Sequence, residues 1–191
     1  MLLASSDILS SSTISANPDR SKPQGALTED WMGTMIKYYS SSVVFQEVPD
    51  EITLALEITS CPHRCPECHS PWLREDIGVE LTAEECLRLI GENPGVSCIC
   101  FMGGDANHEG IASLAREIKE RSGLKVAMYS GDEKMDPILA SALDYYKIGP
   151  YIKERGPLDS PSTNQVFYKM EGGKAIDITH RFFKKKIGDI R

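Results

Sequence analysis

Three cysteines stand within eight residues, Cys61-Pro62-His63-Arg64-Cys65-Pro66-Glu67-Cys68, separated by three and then two residues. Thiolates this close can wrap one compact metal centre, and soft sulfur donors select zinc or iron–sulfur clusters. Two prolines make the segment a poor candidate for ordinary core packing. A structural zinc takes four Cys or His ligands, commonly in separated pairs, and His63 or His69 would be the local fourth ligand here. An iron–sulfur cube has a different count: three cysteines hold three irons and leave the fourth iron open to a small molecule. The spacing alone leaves both readings standing.

A second group with chemical potential is Gly103-Gly104-Asp105. Glycines let the backbone approach a ligand closely, and a carboxylate beside them can accept charge-assisted hydrogen bonds from an ammonium group. An ordinary turn between strand and helix is the bland alternative. Cys86, Cys98 and Cys100 read differently, because Cys86 falls in a helical pattern while Cys98 and Cys100 alternate along an apolar run, as small core residues do. His108 and His180 have no partner at ligand spacing and are read as structural or exposed.

Positioning these groups requires strands that end at them. From residue 36 on, apolar runs of strand length alternate with helical patterns, which predicts βα units and a largely parallel sheet. Ser42 to Val48 is expected as an edge strand, and Ile52 to Thr59 as a core strand feeding the cysteine loop. Thr82-Ala83-Glu84-Glu85 has capping-box form and opens a helix to about Ile90. Val96 to Met102 is nearly all apolar, as in a strand buried on both faces, and ends at the glycine pair. Ile111, Leu114, Ala115 and Ile118 repeat at helical spacing, closed by Gly123. Lys125 to Tyr129 is the next strand, running into Ser130. Asp136-Pro137 starts a helix to about Leu143, followed by a short strand from Tyr145 to Ile148. Gln165 to Met170 and Lys174 to Ile178 flank Gly172-Gly173 as a hairpin.

A CxxxCxxC loop directly after the first core strand of a βα chain, with Gly-Gly-Asp one unit later, resembles the radical S-adenosylmethionine superfamily. The resemblance implies an incomplete parallel (βα) barrel, with a C-terminal hairpin, over residues 35–191. It also implies a 4Fe–4S cluster on Cys61, Cys65 and Cys68 whose open iron takes the amino and carboxylate groups of S-adenosylmethionine. Gly103, Gly104 and Asp105 would then meet the methionine ammonium. Glu67, Cys68 and His69 would lie beside the nucleoside, and Ser130 beside the ribose or carboxylate. Glu67 departs from the aromatic residue common at its position, so its contact with adenine would be through the backbone.

Within the superfamily, residues 36–183 are similar to the anaerobic ribonucleoside-triphosphate reductase activating proteins. The stretches that carry this are Val44 to Glu51, Cys61 to Pro71, Phe101 to Asp105, and Gly156 to Pro161 leading to Asn164-Gln165. It implies a 5′-deoxyadenosyl radical that leaves a glycyl radical on the large reductase, with a flavodoxin-type protein as electron donor. A different glycyl radical partner, or a zinc-stabilised binding module without catalysis, are the alternatives. No general acid or base is expected, since the cofactor supplies the difficult chemistry.

Composition sets outer limits. The 191 residues carry a formal charge of -7, which gives no electrostatic reason to bind nucleic acid or an anionic membrane. Arg181, Lys184, Lys185 and Lys186 are read as a solvated basic face. Six cysteines in a chain of this length are too few for a small secreted disulfide scaffold, so a reducing, cytoplasmic setting is expected. No apolar run approaches the roughly 20 residues of a membrane span. Residues 1–34, rich in Ser, with Pro and Asn, are expected to be a disordered leader.

Overall fold

The computed structural model describes residues 35–183, so the expected leader and Lys184 to Lys186 lie outside the described residues. An edge strand, β1 (Lys37–Val44), runs antiparallel to β2 (Thr53–Ile58), whose end feeds the cysteine loop. After the loop come β3 (Val79–Glu80), α1 (Ala83–Glu92) and β4 (Cys98–Met102). Then follow α2 (His108–Ser122), β5 (Lys125–Tyr129), α3 (Pro137–Ala142) and β6 (Tyr145–Ile148). The last strands among the described residues form the hairpin β7 (Val166–Glu171) and β8 (Lys174–Asp177), followed by a 3-10 turn at Thr179–Phe182.

All eight strands form one sheet in the order β3-β1-β2-β4-β5-β6-β7-β8. The four central strands β2, β4, β5 and β6 are mutually parallel, and every pairing outside them is antiparallel. The expected parallel barrel is therefore narrowed to a parallel centre. The sheet is mixed and open, with β3 and β8 as its edges.

Period-two alternation divides the core between the two faces of this sheet. Leu54, Leu56, Ile99, Phe101, Val126 and Met128 face one way and pack with Ile111, Ala115, Ile118 and Leu139 of the helices. The intervening residues Cys98, Cys100, Ala127 and Tyr145 face the other way, where Val48, Leu158 and Phe167 cover them. Cys86, Cys98 and Cys100 are thus buried core residues, as their pattern predicted.

Local signals explain most element boundaries. Thr82 accepts the Glu85 N–H at 3.2 Å, the side-chain-to-backbone half of the capping box, while the Glu85 carboxylate turns to Tyr38 and Arg88 instead. Gly123 ends α2 in the left-handed conformation at φ 71°. Asp136 caps α3 by accepting from the N–H groups of Ile138 and Leu139. The edge strand lies earlier than expected, at Lys37–Val44 instead of Ser42–Val48. Its register shifts between Tyr38 and Ser41, and its mixed burial leaves no clean alternation to read. None of the helices among the described residues is long and apolar enough to cross a membrane.

Candidate metal and cofactor site

The cysteine loop begins where β2 ends. Ser60 takes a left-handed turn at φ 59°, and its N–H donates to the Glu75 carbonyl at 3.1 Å. The Cys61 N–H donates to the Leu73 carbonyl at 2.9 Å. Arg74 reaches back, donating to the Cys65 carbonyl at 2.8 Å, so a short 3-10 turn at Pro71–Arg74 anchors the start and the middle of the loop. Glu67 is also left-handed, at φ 56°, and its exposed carboxylate pairs with Lys153 at 2.7 Å. The His69 ring lies 5.1 Å from that of Tyr151.

Cys61, Cys65 and Cys68 are half-buried free thiols. Burial pushes the Cys61 thiol up, and the charges of Asp105, Cys65 and Cys68 push it the same way. The three sulfurs and Asp105 are therefore electrostatic neighbours. Three thiols on one short loop are the donor chemistry an iron–sulfur core fits.

The end of β4 meets the loop from the side. Gly103 and Gly104 have φ 108° and 111°, values that L side chains rarely adopt. They carry the chain to Asp105, whose side chain is only 2% exposed. One of its oxygens, Oδ2, accepts the Gly131 N–H at 2.9 Å and lies 3.1 Å from His63 Nε2. The other, Oδ1, is buried without a hydrogen bond and lies 3.8 Å from His108 Nε2. A buried carboxylate oxygen without a hydrogen-bond donor is costly, so this oxygen can accept a further donor at the sheet end.

Two further elements complete the cluster. His63 Nε2 is 3.3 Å from Asp132 Oδ1, and His108 Nε2 is 3.2 Å from Asp132 Oδ2. His108 Nδ1 lies 3.1 Å from Asp136 Oδ2. Burial, then the Asp105 charge, push the Asp132 carboxyl up. Ser130, at the end of β5, is 1% exposed and its hydroxyl accepts the Asp132 N–H at 2.9 Å. Gly131 has no room for a side chain, because a Cβ there would lie 2.5 Å from the His63 ring.

The fold thus brings Cys61, Gly103, Gly104, Asp105 and Ser130 to the C-terminal ends of adjacent parallel strands. Glu67 and His69 sit on the outer part of the loop, where their contacts are with Lys153 and Tyr151. His108, expected to be structural or exposed, is half-buried and stands in this cluster with His63, Asp132 and Asp136. Only His63 had a sequence signal, its place between two of the cysteines. The remaining three converge through chain folding, with no local pattern. A cleft of about 350 Å³ lies elsewhere, lined by Gln165, Val166, Asp177, Thr179 and His180, and contains none of these residues.

Residues 52–147, from the start of β2 to within β6, match the family described as a 4Fe-4S single cluster domain. That span is half of the chain and includes all three loop cysteines, so the chain belongs to this family of iron–sulfur proteins. No curated protein and no solved structure matches the chain.

Proposed function

We propose that this chain holds a 4Fe–4S cluster on Cys61, Cys65 and Cys68 and cleaves S-adenosylmethionine reductively, generating a glycyl radical on anaerobic ribonucleoside-triphosphate reductase. The carrying observation is that the cysteine loop and the Gly103-Gly104-Asp105 turn meet at one sheet end, joined through His63 and Gly131. Membership of a single-cluster family supports the iron–sulfur part, and the resemblance to reductase activating proteins supports the rest.

A cluster held by Cys61, Cys65 and Cys68 would supply the one electron that breaks the bond between the sulfonium and the 5′ carbon. Methionine would leave, and the hydrogen atom abstracted would come from a glycine Cα of the reductase. The products are 5′-deoxyadenosine and the stored glycyl radical, and a flavodoxin-type donor supplies the electron. The chain's own residues do the positioning. Asp105 Oδ1 accepts from the methionine ammonium, and the two glycines let that group approach the backbone. Glu67, Cys68 and His69 border the nucleoside, with Ser130 beside the ribose or carboxylate. The half-open sheet suits a protein substrate that closes the site.

Anaerobic reconstitution tests the reading. Wild-type protein should bind about four irons per chain and cleave S-adenosylmethionine, and Cys65→Ala should lose both properties. With the candidate reductase and a reductant, a glycyl radical should appear in the electron paramagnetic resonance spectrum. Stoichiometric zinc in anaerobically purified protein, with no cluster after reconstitution, would overturn the proposal. A good cluster and cleavage without any glycyl radical would remove this reductase as partner.

A further inference from the structure

Lys147 lies on β6 and is only 7% exposed. Its ammonium donates to the Ser130 carbonyl at 3.1 Å and the Gly149 carbonyl at 2.6 Å. It also lies 5.9 Å from the centre of the Tyr129 ring. An ammonium has three donors, and two are used here. Among the described residues no carboxylate forms an ion pair with it. Buried charges are normally paired, because removing an ion from water costs several kcal/mol.

The position of this charge is informative. In the β5–β6 register Lys147 faces Tyr129, directly before Ser130 and Gly131. Gly131 donates to Asp105 and packs against the ring of His63, which lies between Cys61 and Cys65. Burial lowers the Lys147 pKa to about 8, and the two charges that oppose this are Asp105 and Cys65. Asp105 gives its Oδ2 to a main-chain N–H, and among the loop thiols Cys65 is the one whose charge acts on the ammonium.

We propose that Lys147 is the buried counter-ion of the iron–sulfur cluster, the fixed positive charge that offsets the three-thiolate assembly and makes it easier to reduce. This rests on the reading that Cys61, Cys65 and Cys68 hold that cluster. Three thiolates outweigh the positive charge of the cubane core, and accepting an electron makes the assembly more anionic. A cation held in a dry interior therefore stabilises the reduced form more than the oxidised one.

The experiment is a redox titration of the full chain, reconstituted anaerobically and followed by electron paramagnetic resonance, for wild type, Lys147→Met and Lys147→Arg. Iron content of the wild type comes first. An unloaded wild type would sink the cluster reading itself, which separates that failure from failure of the present inference. With wild type loaded, Lys147→Met should hold the same iron yet be about tenfold harder to reduce, a fall of 59 mV for a one-electron couple. Lys147→Arg, which keeps the charge, should stay close to the wild-type potential. An unchanged potential in loaded Lys147→Met overturns the proposal. If affinity for S-adenosylmethionine falls in that variant instead, the ammonium belongs to the ligand's carboxylate and not to the cluster. Should Lys147→Met fail to fold or load, Lys147→Arg decides: it must load and keep its potential, and failure on either count overturns the assignment.

Discussion

Asp105 has two oxygens with different environments, and that asymmetry gives it a testable role. Oδ2 is engaged by the Gly131 N–H, whereas Oδ1 is buried without a hydrogen bond, 3.8 Å from His108 Nε2. A ligand ammonium reaching Oδ1 would satisfy it, so Asp105→Ala should keep its iron and lose S-adenosylmethionine affinity by about tenfold or more, the scale of one charge-assisted hydrogen bond. Isothermal titration of the reconstituted variant measures this, and an unchanged affinity removes Asp105 from the ligand's contacts. Glu85 carries a separate residue-scale prediction. Arg88 and the Tyr38 hydroxyl, the latter at 2.5 Å, hold its carboxyl at about 2, below the usual 4.5. A depressed carboxylate stabilises the fold above its unfolded pKa and loses that contribution as pH falls through the folded one. Stability should therefore drop between about pH 4.5 and pH 2. Glu85→Gln should flatten that part of the curve, with a difference of about 1 kcal/mol at neutral pH for a partly solvated pair. Denaturant midpoints across the acid range give the answer.

At the scale of elements, α2 leaves no room beside the turn that precedes it. A Cβ on Gly104 would lie 2.8 Å from Ile111 Cγ1 and 2.9 Å from its Cδ1, and the backbone there has φ 111°. Gly104→Ala thus combines backbone strain with overpacking, and should cost about 2 kcal/mol or more in thermal or urea unfolding. Exposed Gly172, with nothing within 4 Å of a Cβ, is the milder control in the hairpin. These turns also show what the amino-acid sequence makes legible. The βα order could be read because Leu54, Leu56, Ile99 and Phe101 alternate in short apolar runs while Ile111, Ala115 and Ile118 repeat at helical spacing. β3 could not, since Val79 and Glu80 are exposed and their strand exists only by pairing with Lys37 and Tyr38. The same distinction divides the candidate site. Cys61, Cys65, Cys68 and the Gly103-Gly104-Asp105 turn have local spacing, whereas His108 and Asp132 join His63 and Asp105 only after β4 and β5 align.

The whole molecule separates its two jobs between opposite ends of the parallel strands. The thiol loop and the Gly103-Gly104-Asp105 turn lie at the C-terminal ends, while Glu51, just before β2, sits at the N-terminal end with 7% exposure. Its carboxylate accepts from Ser97 Oγ at 2.6 Å and Tyr145 Oη at 2.9 Å, and pairs with Lys125. These partners stand at the beginnings of β4, β6 and β5, so one carboxylate ties together all four parallel strands. Hydrogen bonds from these donors, Lys125 above all, hold the Glu51 carboxyl below its usual range against the opposing effect of burial. Glu51→Gln keeps the shape but removes the charge that Lys125 and Tyr145 address. Lys125 is half-exposed and can turn to water, which limits the loss to about 2 kcal/mol. Because the thiol loop is at the other end, that variant should bind iron at the wild-type ratio and show an unchanged cluster potential. Urea unfolding together with iron analysis tests the separation. A variant that loses iron under conditions where it remains folded would show that the two ends are coupled through the strands between them.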